Sequence, residues 1–495
     1  MKIITLYVFF ASIVSQLLAF VREVMMAANF GASKITDAYV ISMLAPTIII
    51  GFIASGISAV YSPSYARIAA QFNKVTANLY TKSFCFLLFF VGVGLSFLSL
   101  VLYKLLGSDL FYGFNSSPIY FQFFAITVFS MPFLLASNIL ASYLNIRGHY
   151  VLSAFSVLPI NVISITFILL SVVYEDVALI AYGYLFGVIC TFLIQFFSVK
   201  TDVFNSYKLG TAKEIRKSVA LACPVIFGVV FNQLNFVIDR GMAISIAEGA
   251  LSTLNYAVRI GSITEFVIVA TLLSLFFPIM NQKYSVRDFN KLSSLVNELV
   301  ILLIFLTVPI SGVLYFYSLD IIKFIFERGQ FNGSLSLDVS RILSVYSIAI
   351  PFIALKLASL KVFYCRGETF LPMIVSIIFV IINVVGNVVL IEFYALLGLA
   401  YSTVICAILS SISLFYLSVR NTEISIDFRF VLFFILFAFS AFFISYSFVE
   451  GLFEANLFIE VVCLFLLYLS TLALVVFKSK FLKGLVVNFY IFKGV

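Results

Sequence analysis

The stretch "MPFLLASNILASYLNIRG" (Met131–Gly148) has a counterpart much later in the chain, "IPFIALKLASLKVFYCRG" (Ile350–Gly367). In both, a proline is followed sixteen residues on by a glycine, the interval is apolar, and the last two residues are Arg-Gly. A second pair of stretches agrees with the first. "SQLLAFVREVMMA" from Ser15 parallels "NQLNFVIDRGMA" from Asn232, with Gln16 and Gln233 lying 217 residues apart. Tyr39 and Tyr256 fall at the same offset, and each stretch ends on an adjacent charge pair, Arg22-Glu23 or Asp239-Arg240. The chain is therefore an internal repeat.

Composition sets the solvent. The 495 residues are 63% hydrophobic and 11% charged, with a mean hydropathy of +1.17. That describes a polytopic membrane protein rather than a soluble domain. The apolar runs do not alternate in polarity as barrel strands would, so an all-α fold is expected. The first run lacks a small-residue cleavage site and reads as a membrane helix rather than a cleaved signal.

Runs long enough to span occur at 3–21, 38–62, 83–106, 119–144, 150–174, 177–199, 218–239, 253–280, 294–317, 339–364, 370–391, 395–419, 428–449 and 456–477. These predict about fourteen helices. The repeat matches the fourth to the tenth, so each repeat holds six. Six is even, so both repeats enter from the same side, as in rocker-type transporters. The expected organisation is an N-lobe at 1–200, a cytoplasmic linker at 201–217, and a C-lobe at 218–420. Helices 13 and 14, with a basic tail, follow at 421–495.

With the N-terminus cytoplasmic, about 21 of the 30 lysines and arginines fall in inner loops and about 7 in outer ones. Both termini are thus expected in the cytoplasm. The densest inner loop, Lys200–Lys217, carries Lys208, Lys213, Arg216 and Lys217. The net charge of +8 reads as this loop bias and contact with membrane lipids, not as nucleic-acid binding. Six cysteines without paired spacing read as small core residues. A single histidine, His149, in a loop beside Gly148, argues against a His metal site or a Ser-His hydrolase. Pro46, Pro132, Pro159, Pro224, Pro309 and Pro351 lie inside the apolar runs, where each is expected to favour a kink.

Several stretches resemble the MurJ (MviN) lipid II flippases of the MOP exporter superfamily. They are "FVREVMMAANFGASKITDAYV" (Phe20–Val40), "NQLNFVIDR" (Asn232–Arg240), "LNYAVRI" (Leu254–Ile260) and "IIKFIFERGQFN" (Ile321–Asn332). "KVFYCRGETFLPMIVSIIFVIINVVGNVVLI" (Lys361–Ile391) and "LLGLAYSTVICAIL" after it extend the likeness to essentially the whole chain. The resemblance implies two six-helix lobes around a cationic cavity, with helices 13 and 14 lining a groove. It implies outward movement of undecaprenyl-pyrophosphate-linked saccharides and no enzymatic chemistry. It places the chain in the bacterial cytoplasmic membrane, as a monomer beside the enzymes of cell-envelope glycan synthesis. No cofactor is implied; coupling to Na+ or to the membrane potential is.

The resemblance also selects candidate residues. Arg259, in "LNYAVRI", matches a cavity arginine; its alternative is an ion pair with Glu265 or Asp239. Arg22 either binds headgroup or snorkels at the outer interface, with Glu23 beside it. Asp37 either caps its own helix, a task for which Thr36 competes, or partners Arg22 in an outer gate. Lys356 interrupts its helix without a family motif, and Arg240 completes the substrate-binding or gating set. Asn383 and Asn387 share a helix face. With Asp239 and Thr403 they fall where the family holds sodium, Asn387 standing where a second carboxylate can occur. The alternative for these amides is interhelical hydrogen bonding.

The chain departs from the family at Gln16 and Ile50-Gly51, where the family has arginines, and at Ser55, where it has a glutamate. A less cationic cavity leans the native substrate toward another undecaprenyl-linked unit, such as a surface-polysaccharide repeat, within the same flippase class. A cation-coupled multidrug exporter of the superfamily is the rival reading; it would need no helices 13 and 14. A membrane glycosyltransferase or ligase would need an outer catalytic loop or acidic metal motif, and the longest outer segment, about Tyr317–Ser340, has neither.

Overall fold

Hydrocarbon offers a backbone no hydrogen-bond partner, so a chain this apolar satisfies its peptide groups internally as helices. The computed structural model describes residues 2–110, 118–204, 235–420 and 428–450, with short pieces within 214–219 and 460–468. Lys208, Lys213, Lys217, Cys223, Pro224, Gln233, the side chain of Ser55 and most of the expected helix at 456–477 lie outside the described residues. Two compact units emerge: Met1–Tyr256 with Phe326–Leu335, and Ala257–Ile325 with Ser336–Val495.

The first unit contains α1 (Lys2–Phe30), α2 (Lys34–Gln71), α3 (Lys74–Leu110), α4 (Pro118–Thr127), α5 (Met131–Ile146), α6 (Tyr150–Phe155), α7 (Leu158–Val173) and α8 (Ala178–Val199). A helix described over 235–246, α9, and the first turns of α10 (Ala250–Thr264) complete it. Its core stacks Tyr61, Tyr80 and Phe84, with ring centres 5.9 and 5.5 Å apart along the series. The buried phenols keep partners: Tyr61 shares a hydrogen bond with Thr81 at 2.8 Å, and Tyr80 donates to Ser218 at 2.8 Å. Small residues bring helices close, as membrane packing requires. A Cβ on Gly92 of α3 would fall 2.5 Å from the Pro132 Cα of α5.

The second unit holds the rest of α10, a π-helical turn at Glu265–Ala270, and α11 (Thr271–Ser285). There follow α12 (Phe289–Phe316), most of α13 (Ser318–Phe326), α14 (Gly333–Ser347, from Ser336), α15 (Ile350–Cys365), α16 (Phe370–Tyr394), α17 (Leu396–Arg420) and α18 (Phe428–Glu450). Its core is built on α11, α12, α15 and α18, with Leu464 and Tyr468 packed into it. Asp288 starts α12 by accepting from the Lys291 N–H at 3.2 Å, which holds its carboxyl below the usual range.

The repeat is visible in the way its helices begin and end. A 3-10 turn, Val128–Ser130, precedes α5, and a 42° bend separates α14 from α15. Both α5 and α15 then end in the same Schellman turn. His149 N donates to Leu144 O at 2.8 Å and Gly148 N to Asn145 O at 3.1 Å. In the second repeat Glu368 N donates to Phe363 O and Gly367 N to Tyr364 O, both at 3.0 Å. Gly148 and Gly367 take φ of +82° and +71°, which explains the paired Arg-Gly endings.

Two sequence expectations change. Among the described residues, nine helices are long and apolar enough to cross a membrane, or ten if the bent pair α14–α15 is one span. The count of fourteen is therefore not reached within them; the ranges 218–239 and 456–477 lie mostly outside, and 38–62 and 428–449 fall in α2 and α18, which are not among the nine. The prolines also sort differently. Pro132, Pro159 and Pro351 sit in the first turn of α5, α7 and α15, where the missing N–H has no intrahelical partner to lose. Each opens the helical segment that follows a break: Pro132 comes after the 3-10 turn, and Pro351 follows the 42° bend, where the expected kink is found. Pro46 and Pro309 are interior, as expected, and Pro63 and Pro278 join them.

Candidate functional site

The charges of the first hairpin fall into two clusters, both within the first unit. Arg22, near the end of α1, is drawn inward. Its Nη1 donates to Asn161 Oδ1 of α7 at 3.2 Å, and its Nη2 lies 3.4 Å from Glu23 Oε1. Asn161 is held in turn by donating to the Ser15 carbonyl at 3.2 Å. Glu23 Oε2 accepts from Asn255 of α10 at 3.4 Å. The Arg22 and Glu23 side chains are 14% and 10% exposed, so this arginine does not snorkel to an interface. A buried guanidinium is tolerable only where polar groups meet it, and here a carboxylate and an amide do so.

Asp37 does neither of the two things expected of it. Thr36 ties the start of α2, accepting from Ser33 N at 2.8 Å and donating to Ser33 O at 2.9 Å. Arg22 has other partners. The Asp37 carboxylate instead caps α10: Oδ2 accepts from Gly249 N at 2.7 Å, and Oδ1 accepts from Ser252 N at 2.8 Å and from the Ser252 hydroxyl at 2.5 Å. A helix start leaves backbone N–H groups without partners and carries partial positive charge, so an anion is held well there. Asp37 is 1% exposed.

The same junction is tied at the backbone. Tyr256 donates to Gly31 O at 2.9 Å, and Gln330 N donates to Ala28 O at 2.8 Å. Lys34 and Glu248 form a half-exposed ion pair at 3.2 Å. Phe20, Tyr256, Phe326 and Phe331 pack edge-on and stacked beneath, with ring centres 5.3–6.1 Å apart. The "FERGQF" stretch, Phe326–Phe331, is thus a strap lying on the end of α1. Ala32 and Gly249 are 217 residues apart, the repeat offset, so the two repeats meet here through equivalent hairpins.

The other candidates are placed elsewhere. Arg240, buried in α9, stacks on Phe236 with its guanidinium carbon 3.1 Å from the ring centre. Arg259 lies in α10 ahead of the π-helical turn that opens with Glu265; both belong to the second unit, Asp239 to the first. Lys356 lies partly buried in α15. Asn383 and Asn387 are fully buried in α16. Asn387 Nδ2 donates to Asn383 Oδ1 at 3.1 Å, and Asn383 Nδ2 donates to Ser402 and Thr403 hydroxyls of α17 at 3.3 and 3.5 Å. These amides and hydroxyls hydrogen-bond between α16 and α17, the interhelical arrangement that the sequence offered as the alternative to a cation site. Among the described residues no three His, Cys, Asp or Glu gather as a metal site.

Asn161, Gly249, Ser252 and Asn255 were not among the candidates read from sequence. One signal was available for Gly249: the repeat register makes it the equivalent of Ala32 in the first hairpin. Nothing local marks Asn161. Of the departures, Ile50 is a core residue of the first unit, 6% exposed, so no cation stands there.

The sequence model of the lipid II flippase MurJ family matches residues 26–470. The chain belongs to the lipid II flippase MurJ family. Its relatives include the probable lipid II flippase MurJ of Rhizobium meliloti, 27% identical over 425 residues, covering 82% of this chain and 78% of that protein. The lipid II flippase MurJ of Burkholderia cenocepacia is 23% identical over 421 residues, covering 82% and 81%. Among solved structures, a lipid II flippase MurJ in an inward closed conformation superposes with a TM-score of 0.81 at 23% identity, covering 98% of this chain and all of that one. An inward-facing multidrug MATE transporter of the MOP superfamily gives 0.68 at 12% identity, covering 82% and 94%. The fold is therefore that of both MurJ and MATE proteins, while family membership favours MurJ over the multidrug alternative. A multi-pass bacterial membrane protein follows from the family and the helices.

Proposed function

We propose that the protein moves lipid II, an undecaprenyl-pyrophosphate-linked saccharide, across the cytoplasmic membrane by alternating access. The observation that supports this most is Arg22: a guanidinium sequestered in an apolar helix bundle and positioned by Asn161 and Glu23. Positive charge inside the membrane is costly and is retained where an anionic group must pass. Arg259 and Lys356 add two further cations within apolar helices, and the apolar helix surfaces suit a polyprenyl tail. In this reading Asp37 and the strap hold the outer junction of the hairpins closed, and transport requires their release. Both termini face the cytoplasm on the charge bias of the loops. The transporter works as a monomer beside the enzymes that build envelope glycans.

A second reading keeps the class and changes the glycan. Ile50, buried in the core at a place where the family carries arginine, leaves the lining less cationic and favours a different undecaprenyl-linked unit. Growth rescue decides between the two. In a bacterium depleted of its own lipid II flippase, this chain is expected to restore growth, and Arg259→Ala and Arg22→Ala are each expected to fail despite normal membrane insertion. Absence of rescue by well-inserted wild-type protein would transfer the assignment to another lipid-linked glycan.

A further inference from the structure

The two repeats carry a tyrosine at the same position, and they use it differently. Tyr256 donates its hydroxyl to the Gly31 carbonyl. Tyr39 is equally buried, 2% exposed, yet its hydroxyl meets no hydrogen-bond partner among the described residues. Beside it stands Arg22, whose guanidinium carbon is 6.0 Å from the Tyr39 ring centre. Both Nη atoms of Arg22 are engaged, by Asn161 and Glu23, while its Nε–H is sequestered without a partner among the described residues. Two neighbouring side chains thus present buried donors that the protein does not use. Such groups are uncommon because they are costly. Filling space does not explain the phenol: the chain holds 59 phenylalanines against 26 tyrosines, so phenylalanine is its ordinary aromatic filler.

An oxyanion is the acceptor that an O–H and a guanidinium N–H have in common, and the guanidinium charge selects an anion over a neutral acceptor. We propose that the Tyr39 hydroxyl and the Arg22 Nε–H form a two-donor subsite for a phosphate oxygen of the transported headgroup. The proposal rests on the flippase reading and deepens it by making Tyr39 a substrate-touching residue. Asn161 and Glu23 each take one N–H of an Nη atom, and Nε is the guanidinium nitrogen that meets no partner among the described residues. Both donors are sequestered in this conformation, and the headgroup reaches them when the surrounding side chains move.

The test is binding of undecaprenyl pyrophosphate to the purified full chain, wild type against Tyr39→Phe, with inorganic pyrophosphate as a second probe and thermal unfolding as a control. Tyr39→Phe is expected to weaken binding of the lipid about tenfold, the loss of one hydrogen bond to a charged acceptor, with no fall in Tm. Unweakened lipid binding by the variant would overturn the subsite and leave the flippase reading standing. A fall in Tm together with affinity would assign the hydroxyl a structural role and also overturn it. An effect confined to inorganic pyrophosphate would assign the donors to a free anion and overturn it as well. Wild-type protein that retains no undecaprenyl pyrophosphate would overturn both the subsite and the functional reading.

Discussion

Asp37→Ala is expected to abolish growth rescue and to loosen the hairpin junction by about 3 kcal/mol, roughly a hundredfold in its opening equilibrium. The substitution removes the carboxylate that accepts from Gly249 N, Ser252 N and the Ser252 hydroxyl at the start of α10. Three donors would then be left in a site that is 1% exposed. Each unpaired buried donor costs on the order of 1–3 kcal/mol, and partial rehydration as the junction opens limits the total. Asp37→Asn keeps the shape but offers one acceptor oxygen and turns an N–H toward the donors, so it should fall between the two. The measurement is the rate at which a membrane-impermeant maleimide labels a cysteine placed at Ala250, which is buried beside the cap, in an otherwise cysteine-free chain. Faster labelling in Asp37→Ala is expected. Labelling at the wild-type rate would mean that the carboxylate does not hold the junction.

The second large effect is expected at two glycines of the same junction. Gly249 and Gly329 have φ of +79° and +59°, a region that costs a residue with a Cβ about 1–2 kcal/mol. Each also faces a backbone carbonyl. A Cβ at Gly249 would lie 2.5 Å from Ala32 O, and one at Gly329 would overlap Ala28 O. Neither oxygen is the mobile end of a side chain, so the hairpin or the strap must shift as a whole. Gly249→Ala and Gly329→Ala should each destabilise by roughly 3 kcal/mol and eliminate rescue. Gly148 and Gly367 provide the comparison. They share the positive φ but have nothing within 4 Å of the added Cβ, so their alanine variants should lose only about 1 kcal/mol. Thermal unfolding of the four purified variants checks the contrast. Four equal losses would remove the steric part of the account.

The architecture was legible because repeats write themselves into sequence at fixed offsets. Pro132 with Gly148 and Pro351 with Gly367 marked one helix twice, and the structure gives both the same first-turn proline and the same Schellman turn. The position of those prolines at the start of the segment after each break was not legible. An apolar run does not reveal where the 3-10 turn before α5 interrupts it, so a first-turn proline looked like an interior one. The same limit applies to the site. Arg22, Glu23 and Asp37 stood out because charge is scarce in this chain. Their partners did not, because Asn161, Ser252 and Gly249 are ordinary residues whose roles are set by contacts across 139 to 215 positions. Asp37 was expected to act within its own hairpin, and the repeat brought it the start of a different helix instead. For Asn383 and Asn387 the helical spacing placed both on one face, while the hydrogen bonds of Asn383 to Ser402 and Thr403 depend on which helix packs beside it.

The most direct test of the central claim is transbilayer movement of lipid II in vesicles containing the purified chain. Wild-type protein is expected to carry labelled lipid II to the opposite leaflet, and Arg22→Ala, inserted to the same level, is expected not to. Vesicles in which the wild-type chain leaves lipid II where it started, or in which Arg22→Ala moves it at the wild-type rate, would contradict the account.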